Sequence, residues 1–217
     1  MKITFISDTH TNMYDYNYKE LLLPEGDILC FSGDIMSSGH NEGEIIHFLK
    51  WINIQPFKYK IFIAGNHDRV FEDKPLIADE LIKKYAGKGV FYLQNSSIEI
   101  EGLTFYGTPH QPYFGGWAFN VPDFEKLIYI YQQIPDNVDV TLVFRNSLET
   151  QEKLEENIAL TEMWLKKLKN DPKRLSFWFN ICNTRNEPFT ASYTFQAFLQ
   201  YAQKKGFRNE HFFCGFD

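Results

Sequence analysis

Three short apolar runs in the first third of the chain each end in polar residues, and this pattern constrains the fold more than any other feature. The runs are Ile3–Ile6, Ile28–Phe31 and Ile61–Ala64. Runs of this length are typical of strands buried on both faces, as in parallel sheets, where the residues after each strand meet at one edge. We therefore expect the polar residues that follow the runs to share one crevice; they are Asp8, His10, Gly33, Asp34, Gly65, Asn66, His67 and Asp68.

The segment between the second and third runs favours a helix, because apolar residues recur at helical spacing from Glu42 to Ile54. A strand, a helix and a strand in this order form a crossover unit. The pattern therefore predicts a parallel sheet within an α/β fold.

Further elements are predicted downstream. A helix is expected from Pro75 to Tyr85 and a strand from Val90 to Leu93. Alternating apolar and polar residues on both sides of Gly102 predict a hairpin, over Ser97 to Gly107, that starts a second sheet. The prolines and glycines between positions 109 and 116 then predict an irregular loop, which carries Trp117 and is placed to line a site.

Composition excludes several classes of protein. The 217 residues fit one ordinary domain, and the net charge of -6 gives no strong nucleic-acid signal. No apolar run approaches the ~20 residues of a membrane span, so no membrane partner is expected. Three cysteines lie far apart, which indicates neither a disulfide framework nor a cysteine zinc site. We expect a cytoplasmic protein, and its oligomeric state is unknown.

Asp8, His10, Asp34 and Asn66 are the candidate metal ligands. Carboxylate oxygens, an imidazole nitrogen and an amide oxygen suit manganese first, with iron, zinc and magnesium as alternatives. Asp8 and His10 are two residues apart on an extended segment, which points both side chains to the same side. Asp34 is placed to bridge two ions, because the preceding Gly33 lets the backbone approach closely. One or two divalent ions per chain are expected.

Each motif alone is weak, since an Asp-x-His or a Gly-Asp sequence is common by chance. The sequence Gly65-Asn66-His67-Asp68 after an apolar strand is more specific, and the three motifs in order favour a metal site over three unrelated turns. His110 is interpreted as a structural loop histidine and His211 as a surface histidine, so neither is a predicted ligand.

These motifs resemble the first three signature motifs of the calcineurin-like metallophosphoesterase superfamily. The stretch from Gly107 to Asn120 is similar to the branch of metallophosphoesterase-domain proteins that includes cyclic-nucleotide phosphodiesterases. The resemblance implies a four-layer α/β/β/α sandwich. It also implies that a first metal ion binds Asp8, His10 and Asp34, and that a second binds Asp34 and Asn66.

The activity that the resemblance implies is hydrolysis of a small phosphate ester, a phosphodiester or a phosphomonoester, by a metal-activated water. His67 would contact the scissile phosphate and donate a proton or hydrogen bond to the leaving oxygen. Asp68 would orient the His67 ring and hold it charged.

The resemblance covers residues 1–140, and residues 141–217 are predicted to be a divergent, mainly helical segment of unknown role. The family continues with a Thr-His-Gly motif and a Gly-His-x-His motif, and neither occurs here. Instead, the segment predicts helices from Glu149 to Lys169 and from Ser192 to Lys205, with a strand from Leu175 to Ile181. The missing histidines leave a second hypothesis open: a catalytically impaired module of the same fold that binds metal or a partner.

Overall fold

The computed structural model describes residues 1–11, 23–113 and 115–144, together with the backbone of two later strands. The elements are β1 (Ile3–Ile6), β2 (Ile28–Ser32), α1 (Glu42–Ile54), β3 (Tyr59–Ile63), α2 (Arg69–Asp73), α3 (Pro75–Tyr85), β4 (Val90–Tyr92), β5 (Ser96–Ile100), β6 (Leu103–Thr108), β7 (Gln111–Pro112), β8 (Asn120–Val121), α4 (Phe124–Gln132), β9 (Val140–Val143), β10 (Phe177–Asn180) and β11 (Phe212–Gly215).

The first sheet has the order β1-β2-β3-β4, and every pairing in it is parallel. Helix α1 connects β2 to β3 over the predicted residues, and it begins where the Asn41 side chain accepts a hydrogen bond from the N–H of Gly43. An Asn at this position satisfies a backbone donor that the first helical turn leaves open. The predicted crossover unit and parallel sheet are confirmed.

The second sheet has the order β11-β10-β9-β6-β5. Its antiparallel pair, β5 and β6, is joined by a tight turn in which Glu101 and Gly102 both have positive φ, 52° and 79°. Positive φ at both central residues is typical of a hairpin turn that matches the strand twist. The predicted hairpin is confirmed, and so is the predicted strand that contains β10.

The two sheets lie face to face with helices outside them. In β2, Leu29 and Phe31 pack against helices α1, α2 and α3, whereas Ile28 and Cys30 pack against the second sheet. In β9, Leu142 packs towards the first sheet, while the next residue, Val143, packs with α4. Alternate residues of a strand point to opposite faces, so these contacts define four layers. The predicted α/β/β/α sandwich is confirmed.

Several predictions concern residues beyond those described. The helices predicted from Glu149 to Lys169 and from Ser192 to Lys205, and the position of His211, lie outside the described residues. Strands β9, β10 and β11 extend the second sheet past residue 140. The division of the chain at residue 140 stays a prediction. Among the helices that the structure describes, none is long and apolar enough to cross a membrane.

Candidate metal centre

The loops after β1 and β2 are joined by backbone hydrogen bonds at the carboxyl edge of the first sheet. The N–H of Asp8 donates to the carbonyl of Gly33 at 3.0 Å, and the N–H of His10 donates to the carbonyl of Asp34 at 3.1 Å. These bonds hold the two loops side by side. The side chains of Asp8, His10 and Asp34 are thereby brought into one cluster.

His10 lies between two carboxylates. Its Nε2 atom is 3.9 Å from Oδ1 of Asp8 and 3.5 Å from Oδ2 of Asp34. Asp34 is fully buried, and its Oδ1 accepts a hydrogen bond from the N–H of His67 at 2.9 Å. Burying carboxylates together is unfavourable unless a cation compensates their charge. The donor set of oxygens and an imidazole nitrogen therefore fits a divalent cation.

His67 reaches the same cluster. The three residues His10, Asp34 and His67 each offer one ligand atom. These three atoms lie within 4.8 Å of one another, an arrangement that could hold a metal ion. The rings of His10 and His67 meet edge to face, with 4.5 Å between their centroids. His67 was predicted as a catalytic residue and not as a ligand, and the geometry places it close enough for either role.

Two consecutive carbonyl groups of the loop after β2 face these two imidazoles. The Nδ1 atom of His10 lies 3.3 Å from the carbonyl oxygen of Met36, and Nδ1 of His67 lies 2.5 Å from that of Ser37. A ring nitrogen that faces a carbonyl oxygen carries a proton, so Nε2 is the nitrogen that would bind a metal ion or contact a substrate. Both histidines are thus oriented by the same short stretch of backbone.

The backbone of this cluster is strained. Asp8, His10 and Asp34 have φ values of 56°, 45° and 56°, in the left-handed region. A residue with a Cβ atom costs about 1–2 kcal/mol there, and such residues concentrate at functional sites. Three of them on two adjacent loops indicate that the fold holds these side chains in place against a local preference. The prediction that Asp8 and His10 lie on an extended segment is wrong, because β1 ends at Ile6 and both residues are left-handed.

Gly33 and Gly65 allow the loops after β2 and β3 to approach closely. A Cβ atom on Gly33, whose φ is 97°, would lie 2.5 Å from Cδ2 of Phe144 and 2.9 Å from Cα of Gly65. No real Cβ atom fits at such distances. The predicted reason for the glycine before Asp34, close approach of the backbone, is confirmed.

Asp68 is fully buried among backbone amides. Its carboxylate accepts hydrogen bonds from the N–H groups of Gly65 at 2.7 Å, Met36 at 2.7 Å and Ile35 at 3.2 Å. Burial raises the pKa of Asp68 to about 7, and the amide hydrogen bonds oppose that rise. Asp68 therefore ties the loop after β2 to the loop after β3. Its predicted role in orienting the His67 ring stays a prediction.

Asn66 is also fully buried at the end of β3. Its backbone carbonyl accepts a hydrogen bond from the N–H of Ala118 at 3.0 Å, so the loop between β7 and β8 reaches this edge of the sheet.

In the loop between β7 and β8, the indole of Trp117 stacks on the His67 ring, with 4.1 Å between centroids and 25° between planes. The expectation that this loop lines the site is confirmed. Trp117 was named as a member of this loop, but its stack on His67 was not predicted.

His110 lies at the end of β6 and contacts neutral groups of the second sheet. Its Nδ1 atom is 3.2 Å from Oδ1 of Asn95 and 3.4 Å from Oγ1 of Thr108. Its backbone carbonyl accepts a hydrogen bond from the Tyr131 hydroxyl at 2.6 Å. Burial, with a smaller contribution from the charge of Lys126, lowers the pKa of His110 below its ordinary value. These contacts support the interpretation of His110 as a structural histidine.

The chain is similar to proteins of one family. A family model described as calcineurin-like phosphoesterase matches residues 1–198. Metallophosphoesterase domain-containing protein 1 of Homo sapiens is 34 % identical over 157 residues, which cover 63 % of this chain and 46 % of the human protein. A UPF0046 protein of Caenorhabditis elegans is 32 % identical over 166 residues, which cover 65 % of this chain and 41 % of that protein. The chain thus spans about half the length, or less, of these curated relatives.

Proposed function

Because the chain belongs to the calcineurin-like phosphoesterase family, we propose that it is a metal-dependent hydrolase of small phosphodiesters or phosphomonoesters. The observation that carries this proposal is the cluster of His10 between the carboxylates of Asp8 and Asp34, with distances of 3.9 and 3.5 Å. The human and nematode relatives described above are named as a domain-containing protein and a UPF0046 protein, names that state no activity, so the proposed activity rests on this site.

The family resemblance implies how the ligands divide. Asp8, His10 and Asp34 would hold one ion, and Asp34 with Asn66 would hold a second, manganese being our first choice. Divalent ions bound there would supply Lewis acidity to the phosphoryl oxygens and lower the pKa of a water molecule. The strained backbone of three of these residues supports a preformed ligand set, because little rearrangement is left for the moment of binding.

His67 is the proposed proton donor to the leaving oxygen. The carbonyl of Ser37 accepts from Nδ1 of His67 whether the ring is neutral or charged. Nε2 is the second N–H donor of the charged ring and would donate towards the substrate, and a positioned donor of this kind contributes about 10²–10⁴-fold to a rate. Asp68 supports this arrangement through the loop that carries Ser37, since it binds the N–H groups of Ile35 and Met36.

Turnover of bis-p-nitrophenyl phosphate with and without Mn²⁺ tests the proposal. We expect slow hydrolysis that requires Mn²⁺, disappears with EDTA and is lost in Asp34→Asn. The rate should be slow because the proposed second ion has only Asp34 and Asn66 as ligands, too few for tight binding. Turnover that is equal in wild type and Asp34→Asn would refute the assignment of the site.

A second candidate is a metal-binding module with little or no catalytic activity. It is favoured by the absence of the family's later histidine motifs, since His211 is the only histidine after His110. Stoichiometric Mn²⁺ binding without turnover of either bis-p-nitrophenyl phosphate or p-nitrophenyl phosphate would select this candidate. Turnover of either substrate above the Asp34→Asn background would exclude it.

A further inference from the structure

The loop between β7 and β8 is fastened to the segment that follows β3. Arg69 donates from Nη1 to the carbonyl of Gly116 at 2.7 Å. Two residues after Gly116, the N–H of Ala118 donates to the carbonyl of Asn66. The next residue, Phe119, donates from its N–H to Oε1 of Glu72 at 2.9 Å. The loop therefore has hydrogen bonds on both sides of Trp117, and these hold the backbone from which the indole projects.

The indole of Trp117 covers one face of the His67 ring. The centroids are 4.1 Å apart and the planes differ by 25°, which is a stacked arrangement. His10 meets the same ring at 4.5 Å, with 78° between planes. The Nδ1 hydrogen bond to Ser37 fixes one edge of the imidazole, and a hydrogen bond of this kind does not by itself define the plane of the ring. The stack restricts the plane of the ring, because an imidazole that tilts away from the indole loses contact with the indole face.

Small misplacements of a catalytic group have large effects on rate. A shift of about 1 Å in a catalytic group can lower a rate by about 10²-fold. A group on a loop needs neighbours that fix its rotamer, and His67 lies in the loop after β3. Trp117 comes from the loop next to the second sheet, so it supplies this support from a different part of the chain.

We propose that Trp117 is a positioning residue: by stacking on the His67 imidazole, it holds the ring plane in which Nε2 faces the ligand cluster. This rests on the proposed function, in which His67 acts on the substrate. Trp117 itself touches His67 and takes no part in bond making or breaking. A cation–π contribution adds to the stack whenever His67 is charged, because the face of the indole attracts a cation.

Two substitutions of Trp117 distinguish the effect of ring stacking from the effect of filling space with an apolar side chain. Trp117→Leu keeps an apolar side chain and removes the aromatic face, whereas Trp117→Phe keeps a smaller aromatic face. Tyr129→Leu is the matched control, because Tyr129 is an aromatic residue on α4 that is 62 % exposed. The ring ¹⁵N signals of His67, assigned by their absence in His67→Gln, are recorded at one pH with Mg²⁺ present. Turnover with Mn²⁺ and Mn²⁺ affinity are measured on the same proteins.

At a pH where the His67 ring is neutral, we expect distinct Nδ1–H and Nε2 signals in the wild type. In Trp117→Leu we expect both signals to shift towards the average of the two tautomers, because a ring that tilts away from the Ser37 carbonyl no longer keeps its proton on Nδ1. Trp117→Phe and Tyr129→Leu should keep the wild-type pattern. The kcat value should fall about 10- to 100-fold in Trp117→Leu, with KM and Mn²⁺ affinity within about 3-fold of wild type, and Trp117→Phe should recover most of the loss.

An unchanged His67 nitrogen pattern in Trp117→Leu would overturn the positioning role, whatever the activity. If the pattern changes but the wild type hydrolyses neither test substrate, the positioning role stands and the proposed function fails. Equal losses of kcat, Mn²⁺ affinity and folding stability in Trp117→Leu and Trp117→Phe would also overturn it, because a purely structural role predicts that result.

Discussion

The carboxyl edges of the two sheets hold histidines in different surroundings. At the edge of the first sheet, His10 lies between two carboxylates, and His67 contacts His10. At the end of β6 in the second sheet, His110 contacts the amide of Asn95 and the hydroxyl of Thr108. Both histidines of the first edge have a ring nitrogen near a buried acid. The comparison shows that a histidine at a strand end becomes a metal or catalytic candidate through its charged neighbours.

Left-handed backbone also has different causes in the two sheets. At the β5–β6 hairpin, Glu101 and Gly102 adopt it because a two-residue turn requires it. Asp8, His10 and Asp34 adopt it outside any hairpin, where interloop hydrogen bonds hold them. Left-handed backbone in the loops after β1 and β2 therefore accompanies the convergence of side chains on one site. In the β5–β6 turn it follows from the geometry of the turn.

The largest effect that separates the two histidine environments is expected from His67→Ala. Loss of the proposed proton donor should lower Mn²⁺-dependent turnover by about 10²–10⁴-fold. The matched variant His110→Ala should leave turnover within about 3-fold, because His110 contacts neutral groups of the second sheet. Steady-state kinetics with Mn²⁺ content measured on the same samples provides the check. Parallel loss of metal and activity in His67→Ala would show that His67 is a ligand instead.

The next effect compares two glycines with positive φ. Gly33→Ala should lower the free energy of unfolding by about 2–4 kcal/mol, because backbone strain adds to overlap with Phe144 and Gly65. Gly102→Ala should cost only about 1–2 kcal/mol, since a Cβ atom at Gly102 meets nothing within 4 Å. Urea denaturation of both variants measures the difference. Equal losses would mean that the close approach of the loops after β2 and β3 contributes nothing to stability.

The smallest effect concerns the pH dependence of stability. Burial lowers the pKa of His110 below 6.5, so the unfolded chain binds more protons at this residue as pH falls. The contribution of His110 to stability is therefore present above pH 6.5 and is lost as pH falls through the lower folded pKa. Among the residues that the structure describes, Lys126 is the charged group that shifts the pKa of His110, and the contacting Asn95 and Thr108 side chains are neutral.

The substitution His110→Gln removes the pH-dependent contribution of His110 to the free energy of unfolding. The free energy of unfolding should rise less steeply between pH 5 and pH 7 in His110→Gln than in the wild type, as measured by urea denaturation at three pH values across that range. Identical slopes would show that His110 titrates alike in the folded and unfolded chains.

Much of the fold could be predicted because local patterns and packing agree. Helices α1 and α3 begin and end at the predicted residues, since each has apolar positions at helical spacing between clear boundary residues. The parallel order of the first sheet follows from the crossover helix, and the hairpin follows from alternation around Gly102. These are local signals that the tertiary structure does not override.

Parts of the candidate site could not be predicted, because they depend on contacts between residues distant in sequence. The carbonyl of Ser37 meets His67 thirty residues later, and Trp117 stacks on His67 from fifty residues beyond it. No spacing rule predicts such contacts. The convergence of Asp8, His10 and Asp34 was predictable because strand ends meet at one edge of a parallel sheet, whereas the amide contacts of Asp68 depend on the conformations of two loops.

The central claim is that the carboxyl edge of the first sheet binds a divalent metal ion, and calorimetric titration of Mn²⁺ into metal-free protein tests it most directly. The account predicts at least one Mn²⁺ per chain in the wild type and an affinity that is lower by at least about 10²-fold in Asp34→Asn, because the carboxylate nearest to His10 loses its charge. The variant His110→Ala should bind like the wild type. Absence of heat in the wild type at saturating Mn²⁺, or equal affinities in wild type and Asp34→Asn, would contradict the claim.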